Sequence, residues 1–218
     1  MSALPDRGTI GIFGAGKSGT AIARLALDAG YTVNIASSGP ANQTKLILDI
    51  VAPGATAVPI DNVAKGAQFV IIAVPLRRFR ELPLDLLAGH TIMDVMNYWP
   101  PIDGVLPEFG DDRRPSSAII QDALPSTARL VKTFNHLGYH QMEDLARPHN
   151  RQERIALGVA SDDAAAARSI MEFVDAVGFD PVLIGPLSQS DVLQPESPVF
   201  GTALSAPALS QLQSGVLS

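Results

Sequence analysis

The chain contains no cysteine. Disulfides, thiolate nucleophiles and cysteine-ligated metals are therefore excluded. Charge is sparse: 17% of residues are ionic, and the net charge is −6. Nucleic acids and anionic membranes need a basic footprint, so neither is expected as a partner. No apolar run approaches membrane-spanning length, and the opening Met-Ser-Ala-Leu-Pro-Asp-Arg lacks the apolar core of a secretory signal. A soluble cytoplasmic protein is expected. Catalytic signatures are missing too. There is no Gly-x-Ser-x-Gly elbow and no Tyr-x-x-x-Lys pair, and Gly16-Lys17-Ser18 lacks the spacing of a phosphate-transfer loop. His136 and His140 lie four apart with Glu143 nearby, but Gly138 weakens a helix there and no third ligand is evident. No metal is expected.

What is present is a globular composition, 46% hydrophobic over 218 residues, enough for one large domain or one domain with an extension. Strand and helix patterns alternate throughout, the mark of a mainly parallel sheet covered on both faces. Strands are expected at Thr9–Phe13, Thr32–Ala36, Ala57–Ile60, Phe69–Val74, Thr91–Val95, Arg129–Phe134, Arg154–Val159 and Pro181–Ile184. Helices are expected at Lys17–Ala29, Ala41–Val51, Asp61–Lys65, Leu76–Leu87, Ser117–Ala123 and Ala164–Val177, with another in the last dozen residues. Asp103–Pro115, rich in Pro, Gly and charge, reads as an exposed loop. The expected fold is α/β, a Rossmann-like doubly wound sheet over residues 1–140 with a small α/β extension over 141–218.

The most specific feature is Thr9-Ile-Gly-Ile-Phe-Gly14-Ala-Gly16-Lys-Ser-Gly19, an apolar strand running into a glycine turn and a helix-forming stretch. A bare Gly-x-Gly-x-x-Gly is weak, but this strand–turn–helix context makes it a dinucleotide fingerprint. Gly14 serves the sharp turn, Gly16 lets backbone approach a pyrophosphate, and Gly19 lets helix pack on strand. Backbone amides of Gly14, Ala15, Gly16, Lys17, Ser18 and Gly19 would then meet the phosphates at the positive end of the helix dipole. At the end of the second strand, where an acid would bond a free ribose 2′-hydroxyl, the chain has Ala36-Ser37-Ser38-Gly39-Pro40. With no acid to repel a 2′-phosphate, NADP is expected, held by Ser37 and Ser38 with help from Lys45. The same hydroxyls could instead merely cap the next helix. Val74 and Pro75 close the fourth strand beside the cofactor's path. Asn97-Tyr98-Trp99 and Asn135-His136 end the next two, where Asn97, Asn135 and His136 would border the nicotinamide.

These motifs resemble the family of NADPH-dependent reductases of the deazaflavin coenzyme F420 (an 8-hydroxy-5-deazaflavin). The match runs through the glycine loop, Ser37-Ser38 in place of the family's Ser-Arg, Val74-Pro75, and Gly185-Pro-Leu-Ser-Gln-Ser190 after the last strand. The resemblance implies hydride transfer between NADPH and the deazaflavin, in a homodimer built partly from C-terminal elements such as the tail after Pro207. Such a reaction needs little acid–base help from the protein, which suits the missing signatures. A reductase of flavin or of a small carbonyl or imine, or a non-catalytic NADPH-binding redox sensor, remains the alternative.

Overall fold

The computed structural model describes residues 6–149 and 153–216. Eight strands form one sheet: β1 (Thr9–Phe13), β2 (Thr32–Ala36), β3 (Thr56–Ala57), β4 (Val70–Ile72), β5 (Thr91–Asp94), β6 (Arg129–Lys132), β7 (Ala156–Ala160) and β8 (Asp180–Gly185). Their spatial order is β3-β2-β1-β4-β5-β6-β7-β8. Every pairing is parallel except β6 with β7. Leaving β1, the chain winds outward to β3, then returns to β4 on the other side of β1. The crevice outside the carboxyl ends of β1 and β4 is thus the switch point at which such sheets bind ligands. The C-terminal part adds β7 and β8 to the far edge of the same sheet.

The helices are α1 (Lys17–Asp28), α2 (Ala41–Val51), α3 (Pro100–Asp103), α4 (Pro107–Gly110), α5 (Ser116–Ala123), α6 (Tyr139–Leu145), α7 (Ala164–Ala176) and α8 (Ala206–Val216). Side chains alternate between two cores, as the period of two in a strand requires. Ile71 and Met93 face a cluster with α1 and α7, where Tyr31, Phe69 and Phe173 meet edge to face, whereas Val70, Ile72 and Ile92 face a cluster with Leu76, Phe79 and Ile120. Asp163 caps α7 by accepting from the amides of Ala165 and Ala166 at 2.9 and 2.8 Å. The apolar side of α8 is spent inside the chain, with Leu209 buried against β7 and β8. No described helix is long and apolar enough to cross a membrane.

Several segments depart from expectation. Asp61–Lys65 is not a helix, only the 3-10 stretch Ile60–Asn62 forming there, and the strand expected at Ala57–Ile60 is Thr56–Ala57. Leu76–Leu87 is not one helix but two 3-10 stretches, Leu76–Glu81 and Leu84–Leu87, because Pro83 forbids a continuous ladder. Asp103–Pro115 is not simply an exposed loop: it contains α4, whose Phe109 is buried beside Tyr98 with ring centroids 5.8 Å apart. Asp103 is also buried, accepting from the amides of Trp99 at 3.0 Å and Arg77 at 3.4 Å. Helix α6 was not anticipated at all.

Candidate dinucleotide site

The glycine loop is built by close contacts that only glycine permits. Gly14 adopts φ 115°, and a Cβ there would lie 2.3 Å from the Ala73 carbonyl oxygen on the neighbouring strand end. A Cβ at Gly19 would meet the Gly14 carbonyl at 2.1 Å, so this glycine lets α1 sit down on the turn. Gly16 is different: a Cβ there meets nothing within 4 Å. That open space belongs to a cleft of about 550 Å³ lined by Phe13 through Gly16, Ala36, Ser37, Ser38, and Ala73 through Pro75. Gly16 is thus spared a side chain for the sake of something that approaches from outside. The amide ends of α1 face the same space with no acid in the first turn, the arrangement that favours a phosphate. The residues present fit a dinucleotide.

At the β2 end of the cleft the two serines differ. Ser37 Oγ lies 2.6 Å from Thr44 Oγ1 and accepts from the Gly39 amide at 3.3 Å. Ser38 is exposed and makes no hydrogen bond among the described residues. Neither caps α2, whose N-cap is Pro40 without a side-chain bond. Lys45 does not line the cleft: its ammonium is held by both oxygens of Asp49 at 2.7 and 2.8 Å. Part of the lining is not evident in the sequence: Arg78 and Glu81, from the 3-10 stretch that follows Val74-Pro75, and Leu82 just after it also line the cleft.

The ends of β5 and β6 are tied together. Asn97 Nδ2 donates to the Asn135 carbonyl at 2.7 Å, and Asn135 Nδ2 donates to Asn97 Oδ1 at 2.9 Å and to the Leu193 carbonyl at 2.7 Å. Leu193 ends the 3-10 stretch Leu187–Leu193, which begins in the Gly185–Ser190 motif and runs past it, so that stretch braces the β6 end. Below them lies an ion pair between cross-strand partners, Asp94 and Lys132, at 3.1 Å and fully buried. Ser117 of α5 donates to the same carboxylate at 2.8 Å, and Lys132 also donates to the Met96 carbonyl. Burial pushes the Lys132 ammonium down, while Asp94 pulls it the other way.

Asn135 and His136 do not open onto the cleft as expected. His136 is 2% exposed and fills a core position, with the Gly158 amide aimed at its Nε2 from 3.5 Å. Burial pushes its pKa down to about 4, so the ring is neutral. Both residues position the strand ends instead of bordering a nicotinamide from the surface. Asn97 does not line the cleft either; it is half-buried, and Trp99, two residues on, is 51% exposed. Lys17, at the start of α1, lies over the Tyr139 ring at 5.1 Å. Lys17 and Tyr139 are 122 positions apart (139 − 17), so this contact is invisible in the sequence.

Fold and cleft together define a dinucleotide-binding Rossmann protein. Residues 9–98 match the model of the family described as NADP oxidoreductase, coenzyme F420-dependent. The matched stretch holds the glycine loop and Val74-Pro75. None of the curated protein sequences matches the chain. Solved structures do. A hypothetical protein, SMa0349, from Sinorhizobium meliloti is 25% identical with TM-score 0.74, over 91% of this chain and 95% of that one. A provisionally assigned F420-dependent NADP-reductase from Arthrobacter sp. FB24 is 22% identical with TM-score 0.69, over 83% and 86% of the two chains. A reductive aminase from Aspergillus terreus, solved with NADPH and ethyl levulinate, shares the fold at TM-score 0.54 and 19% identity. This chain spans 61% of that enzyme's length.

Proposed function

We propose that the protein transfers a hydride between NADPH and a deazaflavin acceptor of the coenzyme F420 type, acting as a cytoplasmic homodimer. The observation that carries this reading is the Gly16 opening in a cleft whose β2 end has serines and no acid, within the segment that matches the F420-dependent family. Bound NADPH supplies the hydride from its nicotinamide ring. The protein's share is placement. Amides of Gly14 through Gly19 hold the pyrophosphate, Ser37 and Ser38 receive the 2′-phosphate, and Val74 and Pro75 form the wall along which the cofactor lies. Asn97 and Asn135 lock the ends of β5 and β6, keeping the floor of the nicotinamide end rigid. No side chain at those strand ends is set up as an acid, since His136 is buried and neutral. Hydride addition to the deazaflavin leaves a delocalised ring anion that takes its proton from solvent, whereas the localised anion from a carbonyl or imine acceptor calls for a proton donor placed beside it.

Anaerobic turnover with NADPH and a panel of acceptors tests the reading. Deazaflavin should be reduced faster than flavin mononucleotide, a cyclic imine or a ketone. Preferred turnover of an imine or flavin would replace the acceptor, and tight NADPH binding without any turnover would make the protein a redox sensor.

A further inference from the structure

A 2′-phosphate calls for a cation with fork geometry, and the place after β2 where one is usually found holds Ser38. Lys45 is engaged by Asp49 and lies outside the cleft, and Lys17 sits at the other end of the glycine loop. Among the described residues that line the cleft, Arg78 is the only cation. Its direction follows from the local helix. A 3-10 stretch has three residues per turn, so positions three apart share a face. Leu76 and Phe79 are buried and anchor one face. Arg77 and Arg80 occupy the second, where they hold the Ile102 carbonyl at 2.7 Å and the Glu108 carboxylate at 2.6 Å. Arg78 and Glu81 fall on the third, which is the wall of the cleft. They pair with each other at 2.8 Å and are both exposed, 42% and 59%. An exposed pair of this kind adds little to stability and is easily exchanged for a better partner.

We propose that Arg78 grips the adenosine 2′-phosphate of NADPH in the cleft that Ser37 and Ser38 also line, and that Glu81 competes for the guanidinium until the phosphate displaces it. Arg78 thereby supplies, from after β4, the charge that is missing after β2. The inference rests on the reading of the cleft as an NADP site. It makes Arg78 the chief determinant of NADP over NAD, with the serines as auxiliary hydrogen-bonding groups.

Equilibrium titrations with NADPH, NADH, 2′,5′-ADP and 5′-AMP test it without any acceptor. Wild type should prefer each 2′-phosphorylated ligand. Arg78→Ala should weaken NADPH and 2′,5′-ADP about 10- to 100-fold, the range of one charge-assisted bidentate contact, while NADH and 5′-AMP stay within about twofold. Arg78→Lys, which keeps the charge and loses the fork, should fall between them. Glu81→Gln should tighten NADPH and leave NADH unchanged. Equal weakening of all four ligands in Arg78→Ala would place the side chain on the adenine and overturn the proposal. So would an undiminished preference for NADPH, which would leave the NADP reading intact. A wild type with no preference would refute that reading itself, and the role of Arg78 with it.

Discussion

Replacing Gly16 by alanine should separate the cofactor's needs from those of the fold. The residue has φ −80° and ψ −174°, an extended backbone open to alanine, and the added methyl meets nothing within 4 Å. Lower chain entropy in the unfolded state would favour alanine by about 0.4–1 kcal/mol. Gly16 is also the N-cap of α1, where alanine is worse than glycine by a similar amount. The two effects offset, so stability should change by less than about 1 kcal/mol. Binding should not survive so well. The methyl projects into the cleft where backbone is meant to approach a pyrophosphate. Displacing that group forfeits at least one amide bond to a charged oxygen, roughly 1.5–3 kcal/mol, or about 10- to 100-fold in Kd for NADPH. Gly14→Ala gives the contrast. Its φ of 115° costs about 1–3 kcal/mol for a non-glycine residue, and relieving a contact of 2.3 Å with the Ala73 carbonyl costs about as much again. Urea denaturation and fluorescence titration of NADPH on both variants complete the test. A Gly16→Ala protein that binds NADPH within about twofold of wild type would show that the cleft is not approached through this loop. One that unfolds would show that Gly16 is structural.

Two further outcomes follow from the strand ends. His136 is held neutral with a native pKa of about 4 against an unfolded value of 6.5, so between those values the unfolded chain binds a proton that the native one refuses. Its contribution is complete above about pH 6.5 and declines as pH falls, by on the order of a few kcal/mol towards about pH 4. His136→Gln should lose this part of the acid sensitivity in denaturation measured at both pH values; an unchanged pH dependence would contradict the buried neutral ring. Trp99→Ala, at a half-exposed side chain that follows the β5 end, should raise the KM for the acceptor several-fold with NADPH affinity unchanged. Normal acceptor kinetics would place the acceptor pocket elsewhere.

The parts that were legible in the sequence are those fixed by near neighbours. β1, β2 and α2 have the bounds that their apolar periods indicate, and the glycine loop declares itself because its three glycines, strand and helix are contiguous. The segments misread are those in which a distant partner decides. Phe109 turns a charged, proline-rich stretch into a packed one because Tyr98 lies across from it. The Asn135–His136 dipeptide reads as a polar strand end, yet Leu193 and Gly158 take it into the core. The Asp94–Lys132 pair was within reach, since each closes an otherwise apolar strand and the two strands are neighbours in register. Arg78 was not, because its place in the cleft lining depends on how a 3-10 turn is phased between Pro75 and Pro83.

The central claim is direct hydride transfer from NADPH to a deazaflavin, and isotopic labelling follows that hydride. With NADPH carrying deuterium at the transferable C4 position, the account predicts stoichiometric deuterium in the reduced deazaflavin, read by mass spectrometry after a single turnover in ordinary water. Reduced acceptor without the label, or oxidation of NADPH with no reduced deazaflavin formed, would contradict it.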